Sequence, residues 1–333
     1  MDIEKWSLRV GTAALALAVL VRLGSAGVFG TALQMLQSPE AVSMMLFLET
    51  GRVVQAITPK PQQLLQTQIE EPTQPEEITE EIALPVFSPE DASLVKVKNV
   101  CGLKADVEAM LQTPLSWQLQ DTQPTVLILH SHGSESYENK EGFKESGYYR
   151  TLDNRYNVVS VGDRVAEILE AGGISVLHDT TLHDYPSYNS SYSNSRVSVK
   201  EYLEKYPSIR LVLDLHRDAA RDDDGNQVAL TATVHGDKVA KLMLVVGTNV
   251  RLKHPNWPEN MSLAVKLHAL LEKNYPGLCR PISFRNQRFN QDLSPGALIV
   301  EVGAAGNDRQ QALASAELLA QTILELANGT ESA

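Results

Sequence analysis

Cysteine is nearly absent: the 333 residues hold only Cys101 and Cys279. Two thiols so far apart make no disulfide framework, and neither has the spacing of a metal site. One bridge in an oxidising compartment, or two free thiols, are the alternatives. Positive charge is missing from one long stretch. No Lys or Arg falls between Lys60 and Lys96, whereas eight acidic residues do: Glu70, Glu71, Glu76, Glu77, Glu80, Glu81, Glu90 and Asp91. They carry most of the formal net charge of -12, so the rest of the chain is nearly balanced. With that charge, and with no basic stripe interleaved with aromatics, nucleic acid is excluded as a partner. The glycines form no phosphate-cradling loop, and no internal repeat is present.

The amino terminus is richer in signal. Lys5 and Arg9 precede an apolar run from Val10 to Val21, and apart from Arg22 the chain is uncharged as far as Gln34. A basic front followed by such a run reads as a signal peptide, and the full span is also long enough to cross a bilayer. Arg22 at mid-span would cost roughly 2.5–3.5 kcal/mol, less if it snorkels. Either reading exports the remainder. The expected organisation is a membrane anchor or uncleaved signal over 1–30, a juxtamembrane helix over 31–56, a Pro-, Glu- and Gln-rich linker over 57–92 and one globular domain over 93–333. The expected location is the cell membrane, single-pass, with that domain extracytoplasmic.

Within the domain, apolar runs alternate with helical periodicity. Strands are expected at Thr125–Leu129, Ile174–Leu177, Ile209–Leu215, Leu230–Val234, Leu242–Val246 and Ala297–Val302. Helices are expected at Val158–Leu169, stopped by Gly172 and Gly173, and at Ser195–Tyr206, Asn260–Asn274 and Arg309–Ala327. The alternation predicts an α/β fold with a mainly parallel or mixed sheet flanked by helices. In such folds functional groups collect at the carboxyl ends of strands.

The chemistry-bearing residues sit at those ends. His130-Ser131-His132-Gly133-Ser134-Glu135 follows the first strand, Asp214-Leu215-His216-Arg217-Asp218 ends the third, and Glu301 lies in the last. Histidines and carboxylates at three strand ends suit zinc, which takes three nitrogen or oxygen ligands and leaves a fourth position for water. His130 and His132 are two apart and would share a face of a continuing strand. The turn into Gly133 breaks that geometry, so one of the two is expected to reach the metal. Glu301 lies in an apolar run, where a bare carboxylate is costly unless paired or metal-bound; an arginine partner is its structural alternative.

The segments ILHSHGSESY (128–137), NVVSVGD (157–163), LHDYPSYNSSYSNSR (182–196), LDLHRDA (213–219), VGTN (246–249), HPNW (254–257) and LIVEVGAAGND (298–308) resemble the stage II sporulation protein P family. That family is in turn similar to zinc-dependent N-acetylmuramoyl-L-alanine amidases. The resemblance implies an amidase-like fold and a Zn2+ cofactor, with His132 and His216 as ligands. A glutamate ahead of the first long helix is missing: Asp153, Asn154 and Asn157 stand there. Glu135 is therefore the candidate third ligand, with His130 and Asn157 as further candidates. Glu301, in Glu301-Val302-Gly303, matches the catalytic glutamate.

On that resemblance the expected reaction is cleavage of the amide between N-acetylmuramic acid and L-alanine in peptidoglycan, during sporulation engulfment. Glu301 acts as base and then acid. Arg217 orients Glu301, binds a substrate carboxylate, or pairs with Asp214 or Asp218. Tyr188 and Arg196, in a Tyr- and Ser-rich stretch, and Arg285 and Asn290, in a polar stretch, are candidates for substrate contact. Expected partners are peptidoglycan, the membrane and stage II sporulation protein D. The alternatives are a zinc endopeptidase of the stem peptide and a non-catalytic cell-wall scaffold.

Overall fold

The computed structural model describes residues 86–138 and 149–328. The expected anchor over 1–30, the helix over 31–56 and the linker as far as residue 85 lie outside the described residues. Among the described residues no helix is long and apolar enough to cross a membrane.

Among the described residues nine strands are present: β1 (Val97–Asn99), β2 (Val126–Leu129), β3 (Val176–His178), β4 (Leu211–Asp218), β5 (Thr231–Val234), β6 (Asp237–Ala240), β7 (Leu242–Val246), β8 (Ile282–Phe284) and β9 (Gly296–Ala304). Seven form one sheet in the order β1-β8-β7-β9-β4-β2-β3. β9, β4, β2 and β3 run parallel, as do β1, β8 and β7, and the two blocks meet where β7 pairs antiparallel with β9. The sheet is therefore mixed and mainly parallel. Leu230–Val234 does not join it: β5 and β6 make a separate hairpin. Its two-residue turn is His235-Gly236, both at positive φ (51° and 94°), the arrangement that matches the strands' own twist.

Helices α1 (Val107–Gln112), α2 (Val158–Ala171), α3 (Ser191–Lys205), α4 (Trp257–Asn274) and α5 (Arg309–Asn328) complete the domain. Strand alternation sorts the sheet into two faces. Val126, Ile128, Leu211, Leu213, Leu215, Leu298, Val300 and Val302 join the large core that also takes the apolar sides of α2, α4 and α5. Leu127, Leu129, Val212 and Ala297 point the other way and meet Val199, Tyr202 and Leu203 of α3. The second face is thinly covered. By the same alternation Asp214 and His216 of β4 and Glu301 of β9 belong to it.

Packing begins ahead of residue 93. Phe87 is buried in the large core, its carbonyl accepts from Gln112, and a 3-10 turn over Pro89–Leu94 follows it. Cys101 and Cys279 are both free.

Candidate active site

Parallel pairing sets His216 and Glu301 side by side, since they are Cα partners across β4 and β9. Just beyond them the register slips, between His216 and Asp218. The β9 strand turns at Gly303, whose φ of +69° favours glycine. A Cβ there would also come within 2.8 Å of Asn307 Oδ1. The Glu301-Val302-Gly303 sequence thus places a carboxylate on the second face and then ends the run on that face.

His216 is held from behind. Asp214, two residues earlier on the same face, accepts from its Nε2 at 2.8 Å. Asp214 also accepts from the Ser131 amide at 2.7 Å and hydroxyl at 2.6 Å, which ties β4 to the turn after β2. The other ring nitrogen, Nδ1, faces Glu135 Oε2 at 3.7 Å. Burial works against protonating His216, but Asp214 and then Glu135 outweigh it, and its pKa lies well above the usual value. Burial would raise the Glu135 pKa; Arg217 above all, with His216 and His132, brings it down to about 2.

His132 completes the group. Its ring centroid is 5.2 Å from that of His216. It stacks on Tyr188 at 4.3 Å and meets the edge of Tyr192 at 5.3 Å. Burial, then the His216 charge, lowers its pKa to about 4, and its Nδ1 is buried without a partner. Glu301 is comparable. Part of its side chain reaches solvent, but Oε2 is buried without a partner. Desolvation raises its pKa from 4.5 to about 7 against the pull of His216.

His130 and His132 face different ways. His130 keeps the parity of Val126 and Ile128, so it points at α2 and not at the site. There its Nδ1 donates to the Leu215 carbonyl at 3.0 Å and its Nε2 meets His178 Nε2 at 2.8 Å. Both nitrogens are engaged. Gly162 of α2 makes the room: a Cβ there would lie 2.7 Å from His130 Nε2 and 2.5 Å from His178 Nε2. The turn over 131–134 brings His132 to the opposite side.

Asn157 caps α2. Its Oδ1 accepts from Val159 N at 2.9 Å and its Nδ2 donates to Thr151 O and Asn154 Oδ1. Arg217 is a buttress: it donates to the Ser136 and Tyr149 carbonyls and lies 3.5 Å from Glu135 Oε1. Asp214 and Asp218 have other partners, His216 and Arg280.

Tyr188, 49% exposed, borders a groove of about 890 Å3 that also meets Glu135, Arg150, Tyr185, Arg217 and Arg221. Arg196 makes a paired contact with Asp292, at 2.7 and 2.8 Å. Asn290 supports α3 through Tyr192 O and Ser195 Oγ. Arg285 follows β8, which runs against β9, so it sits at the opposite end of the sheet from Glu301 and bonds Ser283. Sequence reasoning did not single out Arg150, which pairs with Asp184 at 2.9 Å and lies 4.2 Å over the Tyr188 ring. It also passed over Tyr192 and the orienting part of Asp214. The i, i+2 spacing of Asp214 and His216 on a strand was the signal for the last.

Among the described residues no three His, Cys, Asp or Glu side chains close into metal-binding geometry. The donors nevertheless suit a cation such as zinc. Two imidazoles and a carboxylate lie close together, His132 Nδ1 is buried and unpartnered, and His216 is oriented from behind by a carboxylate, as ligating histidines usually are.

Comparison with known proteins agrees with the sequence resemblance. The family model described as Stage II sporulation protein P matches residues 30–324. Stage II sporulation protein P of Bacillus subtilis (strain 168) is 31% identical over 221 residues, which are 63% of this chain and 52% of that protein. The chain therefore spans about half the length of that relative. Among solved structures, the N-acetylmuramoyl-L-alanine amidase AmiC2 of Nostoc punctiforme aligns at 16% identity and a TM-score of 0.37, over 60% of this chain and 96% of its own. The CwlD amidase of Clostridioides difficile, solved with the GerS lipoprotein, aligns at 12% identity and a TM-score of 0.38, over 60% and 94%.

Proposed function

The chain belongs to the stage II sporulation protein P family, and from that premise we propose that it is a peptidoglycan hydrolase acting in sporulation. In this reading it cuts the amide between N-acetylmuramic acid and L-alanine. The observation that carries it is the meeting of His132, His216, Glu135 and Glu301 at the carboxyl ends of the central strands, with His132 Nδ1 and Glu301 Oε2 buried and unpartnered.

In the proposed chemistry His132, His216 and Glu135 would hold zinc. Zinc held there would supply Lewis acidity, lowering the pKa of a water to about 7. Asp214 keeps the His216 ring turned so that Nδ1 faces the site. Glu301, with a pKa lifted to about 7 by burial, is matched to take a proton at neutral pH and return it. It accepts the proton of the attacking water as the new carbon–oxygen bond forms at the lactyl carbonyl. It then delivers that proton to the alanine nitrogen as the carbon–nitrogen bond breaks. The products are a free lactyl carboxyl group and a stem peptide with a free amino terminus. Arg217 and Arg150 hold Glu135 in place, and the Tyr188-lined groove receives the substrate.

The rest of the reading concerns place and partners. Residues 1–30 anchor the chain in the cell membrane with the catalytic domain outside the cytoplasm, and stage II sporulation protein D is the expected partner. Product analysis of digested peptidoglycan tests the bond. An amidase leaves unsubstituted lactyl groups; products in which the lactyl group still carries peptide would instead make the protein an endopeptidase.

A further inference from the structure

A second cavity lies away from this site. It is beside Leu211, the first residue of β4, and has a volume of about 260 Å3. Five strand residues, or about 17 Å at about 3.3 Å each, separate Leu211 from His216. The cavity walls are mostly apolar, with Phe87, Leu111, Leu263, Leu267 and Ile323 among them. An apolar cavity of about 150 Å3 stays dry and takes up benzene, so this one has room for a larger apolar body.

Four polar side chains stand in this wall: Gln112, whose amide donates to the Phe87 carbonyl, Gln118, Trp117 and Lys266, of which the last two are donors only. Trp117 Nε1 is buried with no hydrogen-bond partner. Lys266, only 4% exposed, donates to the Leu111 carbonyl and lies 4.8 Å from the centre of the Phe87 ring. Lys273, one helical stretch further along α4, has Asp91 at 3.3 Å; no carboxylate pairs with Lys266 among the described residues. Burial alone pulls its pKa down to about 8, with no charged neighbour contributing. A buried ammonium without a counter-charge is costly. An anion that brings its own apolar body relieves that cost.

We propose that this cavity is a binding site for a medium-chain monocarboxylate, with its carboxylate against the Lys266 ammonium, the Trp117 N–H as a further donor in the same wall, and its aliphatic chain among Leu263, Leu267 and Ile323. The site is independent of the catalytic reading and stands whether or not that reading holds.

The test uses the full chain in lipid nanodiscs and octanoate carrying a diazirine at the chain end. After irradiation, crosslinks are mapped by mass spectrometry. Labelling is expected on peptides holding Leu111–Leu119, Leu263–Leu267 or Ile323–Ala327. Unlabelled octanoate should compete, whereas octanol at the same concentration should not. Lys266→Met should lower this labelling at least tenfold, Lys266→Arg should retain it, and Leu267→Trp, which fills the cavity, should abolish it. Melting curves identify any variant that fails to fold, in which case the octanol comparison on the unaltered chain decides. Equal competition by octanol, undiminished labelling of a folded Lys266→Met protein, or labelling confined to other peptides would overturn the proposal.

Discussion

Replacing Glu301 by Gln keeps the size of the side chain and removes its ability to accept a proton. The consequence for stability follows from the surroundings. Glu301 has no ion-pair partner among the described residues, and its Oε2 is buried without a hydrogen bond. No arginine is left stranded by the change, so the loss of about 3–5 kcal/mol that follows breaking a buried pair is not expected. The opposite is expected. Burial raises the folded-state pKa from 4.5 to about 7, so the folded protein holds this proton more tightly than the unfolded chain. The stability gained from that proton is fully present below about pH 4.5 and is lost as pH rises through 7. At about 1.4 kcal/mol per pH unit, the loss by pH 8 is about 3 kcal/mol. In metal-free protein, Glu301→Gln should therefore melt with the unaltered chain at pH 4 and above it at pH 8. Its single-turnover rate on purified peptidoglycan should fall by about 10²–10⁴, with zinc still bound. A rate within about threefold of the original, or a lower melting point at pH 8 with the folded fraction fully active, would leave the mechanism without its base.

Four further outcomes are expected. His132→Ala and His216→Ala should each reduce zinc from about one per chain to a trace by elemental analysis; full zinc in His132→Ala with loss in His130→Ala would move the ligand to His130. Asn157→Ala should lose about 1 kcal/mol of stability as a helix cap in denaturant titration while keeping its zinc, and metal loss would make Asn157 a ligand after all. Gly162→Ala should cost about 1–3 kcal/mol by overpacking, since its Cβ would lie 2.5 Å from His178 Nε2, and an unchanged melting point would mean that the two histidines can part freely. Phe87→Ala should cost about 3 kcal/mol, which a melting curve reads directly; no change would place Phe87 outside the folded unit.

How far the sequence carries the site can be read from β2 and β4. The apolar runs of both strands are plain in the sequence, and so is the period of two that puts Asp214 and His216 on one face. The same period applied to β2 would send His130 and His132 to one face as well. They differ because β2 stops at Leu129: His130 keeps the strand's parity and enters the α2 side, while the turn carries His132 across. A strand end is set by which backbone groups find partners in the neighbouring strands, and no single residue at 128–132 encodes that. The same limit explains the remaining differences. β1, β8 and α1 are three to six residues long, too short for periodicity to register, and they exist because β7 and α4 give them something to pair with or pack against. The antiparallel entry of β7 is a property of its neighbour β9. Arg150 has no pattern around it; only the fold brings it over Tyr188 and beside Asp184. Local chemistry thus marks the histidines and Glu301 as candidates, and long-range pairing decides which of them face one another. For that reason the His130 and His132 variants, compared for zinc content side by side, probe the placement of the site more directly than removal of any single proposed ligand. Losing His130 should unsettle the packing against Gly162 and leave the metal, whereas losing His132 should leave the packing and take the metal away.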